Sequence, residues 1–371
     1  NQYLLQRFDD EPLDDDSLKA LQVVMAGRRE ELDALHRWAQ NPPRQFRVGL
    51  SNELVWRADQ SYKTLYTLRD AFRVIRAEIL LMAEEGNADG TTDGMIAGLG
   101  LIATVLECSK KSDCYYEFYR YQNMLLRVFA HVFSVCALPE DSLTQIQERF
   151  KSVEQPDLVR KGLLAWHRSV LSDFDTIVHD DVYREYFNGK GLPRRNIWCE
   201  FSVAKQCSLG KSEYLEKANR VFTAIKGPAP ERNQILAALK HDNCYKDDAS
   251  GRPTIVSGMV AAMVDNVEWS TRCVADTRVA IIACAVERYR LIGGNPPPHL
   301  DSLVPAFLPD IPLDPYDEKP IRYEPTESGY MVYSLLANDR IQSCELCQRK
   351  LIAGFGPKVH DKVERPSRKK F

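Results

Sequence analysis

One apolar stripe constrains this chain more than any other feature. Leu65, Leu68, Phe72, Ile75, Ile79 and Met82 alternate three and four apart, which lines them up on one face of an α-helix and requires a partner surface to bury them. Gly86-Asn87-Ala88-Asp89-Gly90 breaks that helix, and a second one is expected over about 93–107. Gly94, Gly98 and Gly100 are costly inside a helix. They are expected to let the two helices approach closely as an αα-hairpin.

The pattern extends in both directions. After an acidic lead-in at 1–16, Ser17 can cap a helix to about residue 39 on Leu18, Leu21, Met25, Leu32 and Leu35. A helix over about 113–137 carries Tyr115, Tyr116, Phe118, Tyr119 and Tyr121, aromatic on two faces and read as core by default. Ser142-x-x-Gln145 reads as a capping box, and a long helix is expected over about 156–187. Residues 194–211 read as irregular, weaker helices lie near 212–225 and 231–240, and 241–253 reads as a linker. The expected fold class is mainly α, a helical bundle or short irregular solenoid. The helical domain is set at 17–260, with a subdivision point near 139–156. A small C-terminal α+β module follows at 261–345, and a basic tail at 346–371.

Composition bounds the function classes. The chain has 371 residues, 44% hydrophobic and 27% charged, which is enough to bury a core. A net charge of -3 argues against a nucleic-acid partner. The longest apolar-leaning run, 95–106, is interrupted by Gly98 and Gly100 and falls short of the roughly 20 residues of a membrane span. The chain opens on Asn1; a preceding signal or anchor segment is compatible with that and would supply any membrane association.

Ten cysteines fall into local pairs and singletons. Cys108 with Cys114, Cys199 with Cys207, and Cys344 with Cys347 could each close a small loop in an oxidising compartment. Cys136, Cys273 and Cys284 read as core residues. Cys344-x-x-Cys347 lacks a second pair for zinc, a following His for haem, and a βαβ context for redox work. No phosphate-binding, dinucleotide, metalloprotease or nucleophile-elbow motif is present. His179-Asp180-Asp181 is the most site-like cluster, but adjacent helical residues point in different directions, so it reads as a solvated face.

The C-terminal stretch has a distinct order of motifs. Ala285-x-x-Arg288-Tyr289-Arg290 leads into a Gly-Asn-Pro turn. Leu300-x-x-Leu303-Val304-Pro305, Leu308-Pro309-x-x-Pro312-x-Asp314-Pro315 and Pro320-x-x-Tyr323 follow. Gly329-Tyr330-x-x-Tyr333-Ser334-x-x-x-Asn338-Asp339 closes the series. Two short β patterns, 321–323 and 330–334, flank a turn at 325–329. This stretch, about 277–340, resembles the globular domain of type II secretion major pseudopilins. It is more similar still to the pseudopilin-like module that ends many envelope proteins of planctomycete-type bacteria, which the helix, acidic turn, helix pattern around 83–90 also resembles. The resemblance implies a calcium site after the last strand, where Asn338 and Asp339 stand. One amide and one carboxylate are too few for the roughly six to eight oxygens calcium takes, so the plain expectation there is a polar turn and no cofactor.

One departure matters. In a pilin the helix before the module continues into a membrane-spanning segment. Here it carries Asp265, Glu268, Arg272, Asp276, Arg278, Glu287 and Arg288, which are expensive in a bilayer core. The leading expectation is a non-enzymatic, extracytoplasmic or envelope-associated interaction protein, with protein partners from the envelope. The alternatives are a cytoplasmic helical scaffold with reduced cysteines, or an enzyme with scattered residues such as His179 and Asp180.

Overall fold

The computed structural model describes residues 15–40, 61–108, 112–155, 157–179, 197–244, 255–326 and 329–335. These residues are mainly helical, as the periodicity implies. In chain order the helices are α1 Asp15–Ala26, α2 Arg29–Gln40, α3 Ser61–Glu84, α4 Ala88–Cys108 and α5 Ser112–Val135. They continue with α6 Glu140–Val153, α7 Leu158–His179, α8 Ile197–Ala224, α9 Ala229–Cys244 and α10 Ile255–Gly293. A 3-10 turn at Leu300–Leu303 precedes an antiparallel hairpin of β1 Arg322–Thr326 and β2 Gly329–Tyr333.

The α3–α4 hairpin forms as the stripe requires. Gly86 takes the left-handed conformation, φ 70, and lets Asn87 N reach Met82 O at 2.8 Å and Gly86 N reach Ala83 O at 3.1 Å, the bonding of a Schellman stop. Asn87 then starts the next helix, its Oδ1 accepting from Gly90 N at 3.0 Å. That cap explains why α4 begins several residues before the apolar pattern does. At Gly94 a Cβ would stand 2.7 Å from Ile79 Cγ1 of α3, so the close approach expected of this glycine is real.

Other boundaries differ from expectation. The helix expected over 17–39 is two helices, broken at Gly27-Arg28. Ser142 caps nothing: Pro139 occupies the cap position of α6 without a side-chain bond, and Ser142 is buried within the helix. Residues 197–211, expected to be irregular, belong to α8, and α9 extends to Cys244 into the expected linker. The hairpin is present, but Pro325 pairs with Tyr330 inside it, not in the turn.

α10 organises the molecule. At 1.5 Å per residue its 39 residues span roughly 58 Å, and it packs against α5, α6, α7, α8 and α9. From Val279 to Val286 every residue is buried, whatever face it lies on. Two apolar cores share this helix. The first gathers α1–α6, the start of α7, residues 273–286 of α10, and Leu300, Leu303, Leu308, Ile321, Tyr330 and Val332 from the C-terminal stretch. The second gathers α7, α8 and α9 around Val256, Val260, Met263, Val264 and Val267. α10 therefore runs unbroken through the domain boundary expected at 260/261. α5 to α9 pack around α10, while α1 to α4 pack on one another and on α5 and α6.

Candidate functional site

The charges of α10 converge on the seam where the C-terminal stretch meets the helices. Arg278 donates from Nε to Glu154 Oε1 at 2.7 Å and from Nη1 to the Leu313 carbonyl at 2.6 Å. Arg288 donates to Gln147 Oε1 at 3.0 Å and lies 5.3 Å from the Phe307 ring centroid. Gln147 in turn donates to the Phe307 carbonyl at 2.9 Å. Glu287, 7% exposed, accepts from Arg290 Nε at 2.9 Å and from Tyr330 Oη at 2.8 Å. Burial, then the neighbouring Glu287, pushes the Tyr330 hydroxyl well up, so it stays a donor. Lys240 of α9 bridges Asp265 and Glu268, both at 2.7 Å. Burial alone would lower its pKa, but the two carboxylates prevail and raise it to about 12. Five of the seven charges that set this helix apart from a bilayer span thus tie elements together, and each has a partner of opposite charge or a carbonyl.

Asp314 is the hub of the C-terminal stretch. Fully buried, its carboxylate accepts from Arg322 Nη1 at 2.6 Å, Leu335 N at 2.7 Å, Ser334 Oγ at 2.9 Å and Tyr316 N at 3.0 Å. A buried carboxylate needs such donors to offset its lost hydration. Arg322 also pairs with Asp317. The segment from Leu313 to Pro320 closes on itself, with Asp314 N donating to Lys319 O at 2.6 Å and Glu318 N to Asp314 O at 2.8 Å. Its tip reaches α9. Ala229 N donates to Glu318 Oε1 at 3.0 Å, Asn233 Nδ2 to the Tyr316 carbonyl at 3.0 Å, and Arg232 to the Pro315 carbonyl. Glu318 carries φ 60, rare for a residue with a side chain.

Beneath this loop, Asp276 lies 3.5 Å from Arg272. Burial outweighs the attraction of Arg272 and Arg127 and raises the Asp276 carboxyl to about 6. Burial, then Asp276, pushes the Tyr316 hydroxyl up. A second polar seam joins α5 and α7 to α10. Tyr119 Oη bonds to Ser270 and donates to Asn266 Oδ1 at 3.3 Å; Gln122 donates to the Cys273 carbonyl at 2.9 Å and to Thr277. A Cβ on Gly162 would stand 2.6 Å from Tyr119 Oη, so only glycine lets the tyrosine into this seam.

Of the residues singled out from the sequence, the structure places some and not others. Cys136, Cys273 and Cys284 are free and buried. Burial pushes all three thiols up, which suits core residues and not nucleophiles. Phe118, Tyr119 and Tyr121 are buried, and Tyr121 stacks on Phe72 at 4.0 Å; the side chains of Tyr115 and Tyr116 lie outside the described residues. So do Asn338, Asp339, Cys344, Cys347, Asp180 and Asp181, and the side chains of Cys108, Cys114, Cys199, Cys207 and His179. Cys199 and Cys207 nevertheless share one continuous helix. Eight residues at 1.5 Å each put their Cα atoms about 12 Å apart, beyond the roughly 4–7 Å a disulfide spans. The small loop expected between them is not formed.

Sequence reasoning missed Asp314, Asp276 and Glu318 as site residues. The first sits in the Pro312-x-Asp314-Pro315 motif and was visible as punctuation only. Among the described residues no group of three His, Cys, Asp or Glu is placed to hold a metal ion, and no helix is long and apolar enough to cross a membrane. Compared with protein-family models, curated proteins and solved structures, the chain matches none.

Proposed function

We propose that this chain is a non-enzymatic, envelope-associated interaction protein whose C-terminal stretch is a pseudopilin-like module built into a helical body. The observation that supports this reading is the order of parts after residue 255. A long helix ends at Gly293, a 3-10 turn and a proline-punctuated loop follow, and an antiparallel hairpin packs back on the helix. The likeness lies in that order together with the motif residues; it does not carry function by itself. The module's helix is encased by the helical body and its charges are engaged there, so the role we assign is docking or spacing within a multi-protein assembly, not packing in a filament. Protein partners in the envelope and an extracytoplasmic location belong to this proposal.

The test is affinity capture from gently solubilised native membranes, combined with the intact mass after alkylation in denaturant with and without reduction. The proposal expects envelope proteins in the capture and two oxidised pairs. With Cys136, Cys273 and Cys284 free, at least three thiols alkylate unreduced. Capture of cytoplasmic proteins alone, with all ten thiols reduced, would replace the reading with a cytoplasmic helical scaffold.

A further inference from the structure

Between Arg76 and Lys110 the chain places Glu78, Glu84, Glu85, Asp89, Asp93 and Glu107, and not one Lys or Arg. α3 therefore ends on carboxylates that oppose its own dipole, with no Lys or Arg after Arg76 in either helix of the α3–α4 hairpin. Two histidines from other helices reach those carboxylates. His131 of α5 lies 2.9 Å from Glu84 Oε1, and His36 of α2 lies 2.7 Å from Glu78 Oε2. α2 packs on α3 and α4, and the charges that act on His36 come from all three helices: Glu78 of α3, Asp93 of α4 and Asp33 of α2 itself. The His36 and Glu78 side chains are only 20% and 15% exposed, so salt screens the pair less than a surface one. Apolar contacts seat this layer at any pH. Leu21, Met25 and Leu32 are buried in the first core, and Leu35 and Trp38 pack against it. What pH changes is the strength of the seam, not its existence.

We infer that the α1–α2 layer is a pH-responsive part of the molecule, gripped more tightly on the α3–α4 hairpin as the medium turns acid and His36 takes a proton beside Glu78. The bond to Glu78, with the nearby carboxylates, raises the His36 pKa above 6.5 against the cost of burial. The added grip is therefore fully present below 6.5 and fades as pH rises through the raised value. Histidine is the side chain whose ordinary charge change falls in this range, so the layer responds to pH near neutrality while the second core has no part in the seam. The response does not depend on the envelope reading.

Two measurements on the full chain test it. The first titrates by NMR the histidine ring signal that H36Q removes and E78Q shifts. Its midpoint is expected above 6.5 in wild type and nearer 6.5 in E78Q. The second compares hydrogen exchange of wild type and H36Q at matched pH, so that intrinsic rates cancel. Glutamine keeps a hydrogen-bond donor at the seam and removes the charge. The amides of 30–39 are expected to exchange roughly two- to fivefold slower in wild type than in H36Q at pH 6, the scale of one ion pair. That ratio should fall toward unity by pH 8.5, and α8 and α9 should exchange alike in both proteins. A wild-type midpoint at or below 6.5 would overturn the inference. So would a ratio at 30–39 that does not change with pH, since the bond would then act without the proton. Equal slowing in α8 and α9 would also overturn it, because the effect would then belong to the whole molecule and not to the layer.

Discussion

Asp314 concentrates more bonding on one side chain than any other residue described above. Its replacement by Ala leaves Arg322 with Asp317 alone and strips three further donors of their acceptor, one of them the Leu335 amide. Breaking such a buried charged network costs about 3–5 kcal/mol; a fall in the urea midpoint of the D314A protein measures it. Asp276 works in the opposite sense. Its carboxyl is raised to about 6 in the folded chain from an ordinary value of 3.8. Between those two pH values the folded state holds a proton that the unfolded state has lost, so stability falls as pH rises through that window and stays lowered above it. D276N is expected to show a flatter decline from pH 4 to pH 6.5 than wild type in denaturant titrations. His36, hydrogen-bonded to Glu78 at 2.7 Å, is raised above 6.5 chiefly by that bond. Its contribution is complete below 6.5 and is lost as pH climbs through the raised value. H36A should therefore cost more at pH 6 than at pH 9, read from the same titrations.

At the scale of the element, legibility followed periodicity. The α3 stripe was plain because one face is buried and the other meets solvent, and the turn after it announced itself through Gly86 and Asn87. The course of α10 is hard to read for the converse reason. Val256, Val260, Met263, Val264 and Val267 face one core and Cys273 to Val286 face another, so the helix shows no single stripe to read. The candidate site was less legible than the fold, because Asp314, Glu318 and Asp276 draw their meaning from partners far along the chain. The α3–α4 contact makes its own prediction. A methyl at Gly94 gains roughly 1 kcal/mol of helix propensity, yet it must stand 2.7 Å from Ile79 Cγ1. Overpacking of that kind costs about 1–3 kcal/mol. G94A is expected to be net destabilised by thermal unfolding, and its cost to be smaller in an I79A background, where the Cγ1 it meets is absent.

For the whole molecule, the shared helix decides what can unfold alone. The hairpin buries Tyr330 and Val332 in the same core as Phe129, Phe150 and Ile282. A fragment of residues 261–345 would expose Val279 to Val286 to water on the sides that α5 and α6 cover. It is expected not to fold on its own, by circular dichroism and proton chemical-shift dispersion. In the intact chain, the slowest amides of β2 and of α3–α6 should exchange with one common free energy, and those of α8 and α9 with a lower one.

The position of α10 along the chain also sets an order of events during synthesis. Gln122 and Tyr119 wait for partners about 150 residues downstream. A ribosome adding about 5–20 residues per second needs roughly 7–28 s to make the stretch between the end of α6 and the end of α10. For that interval the apolar faces of α5 and α6 have left the exit tunnel without the helix that covers them. The nascent chain is thus a natural client for a holding chaperone, until its last long helix arrives.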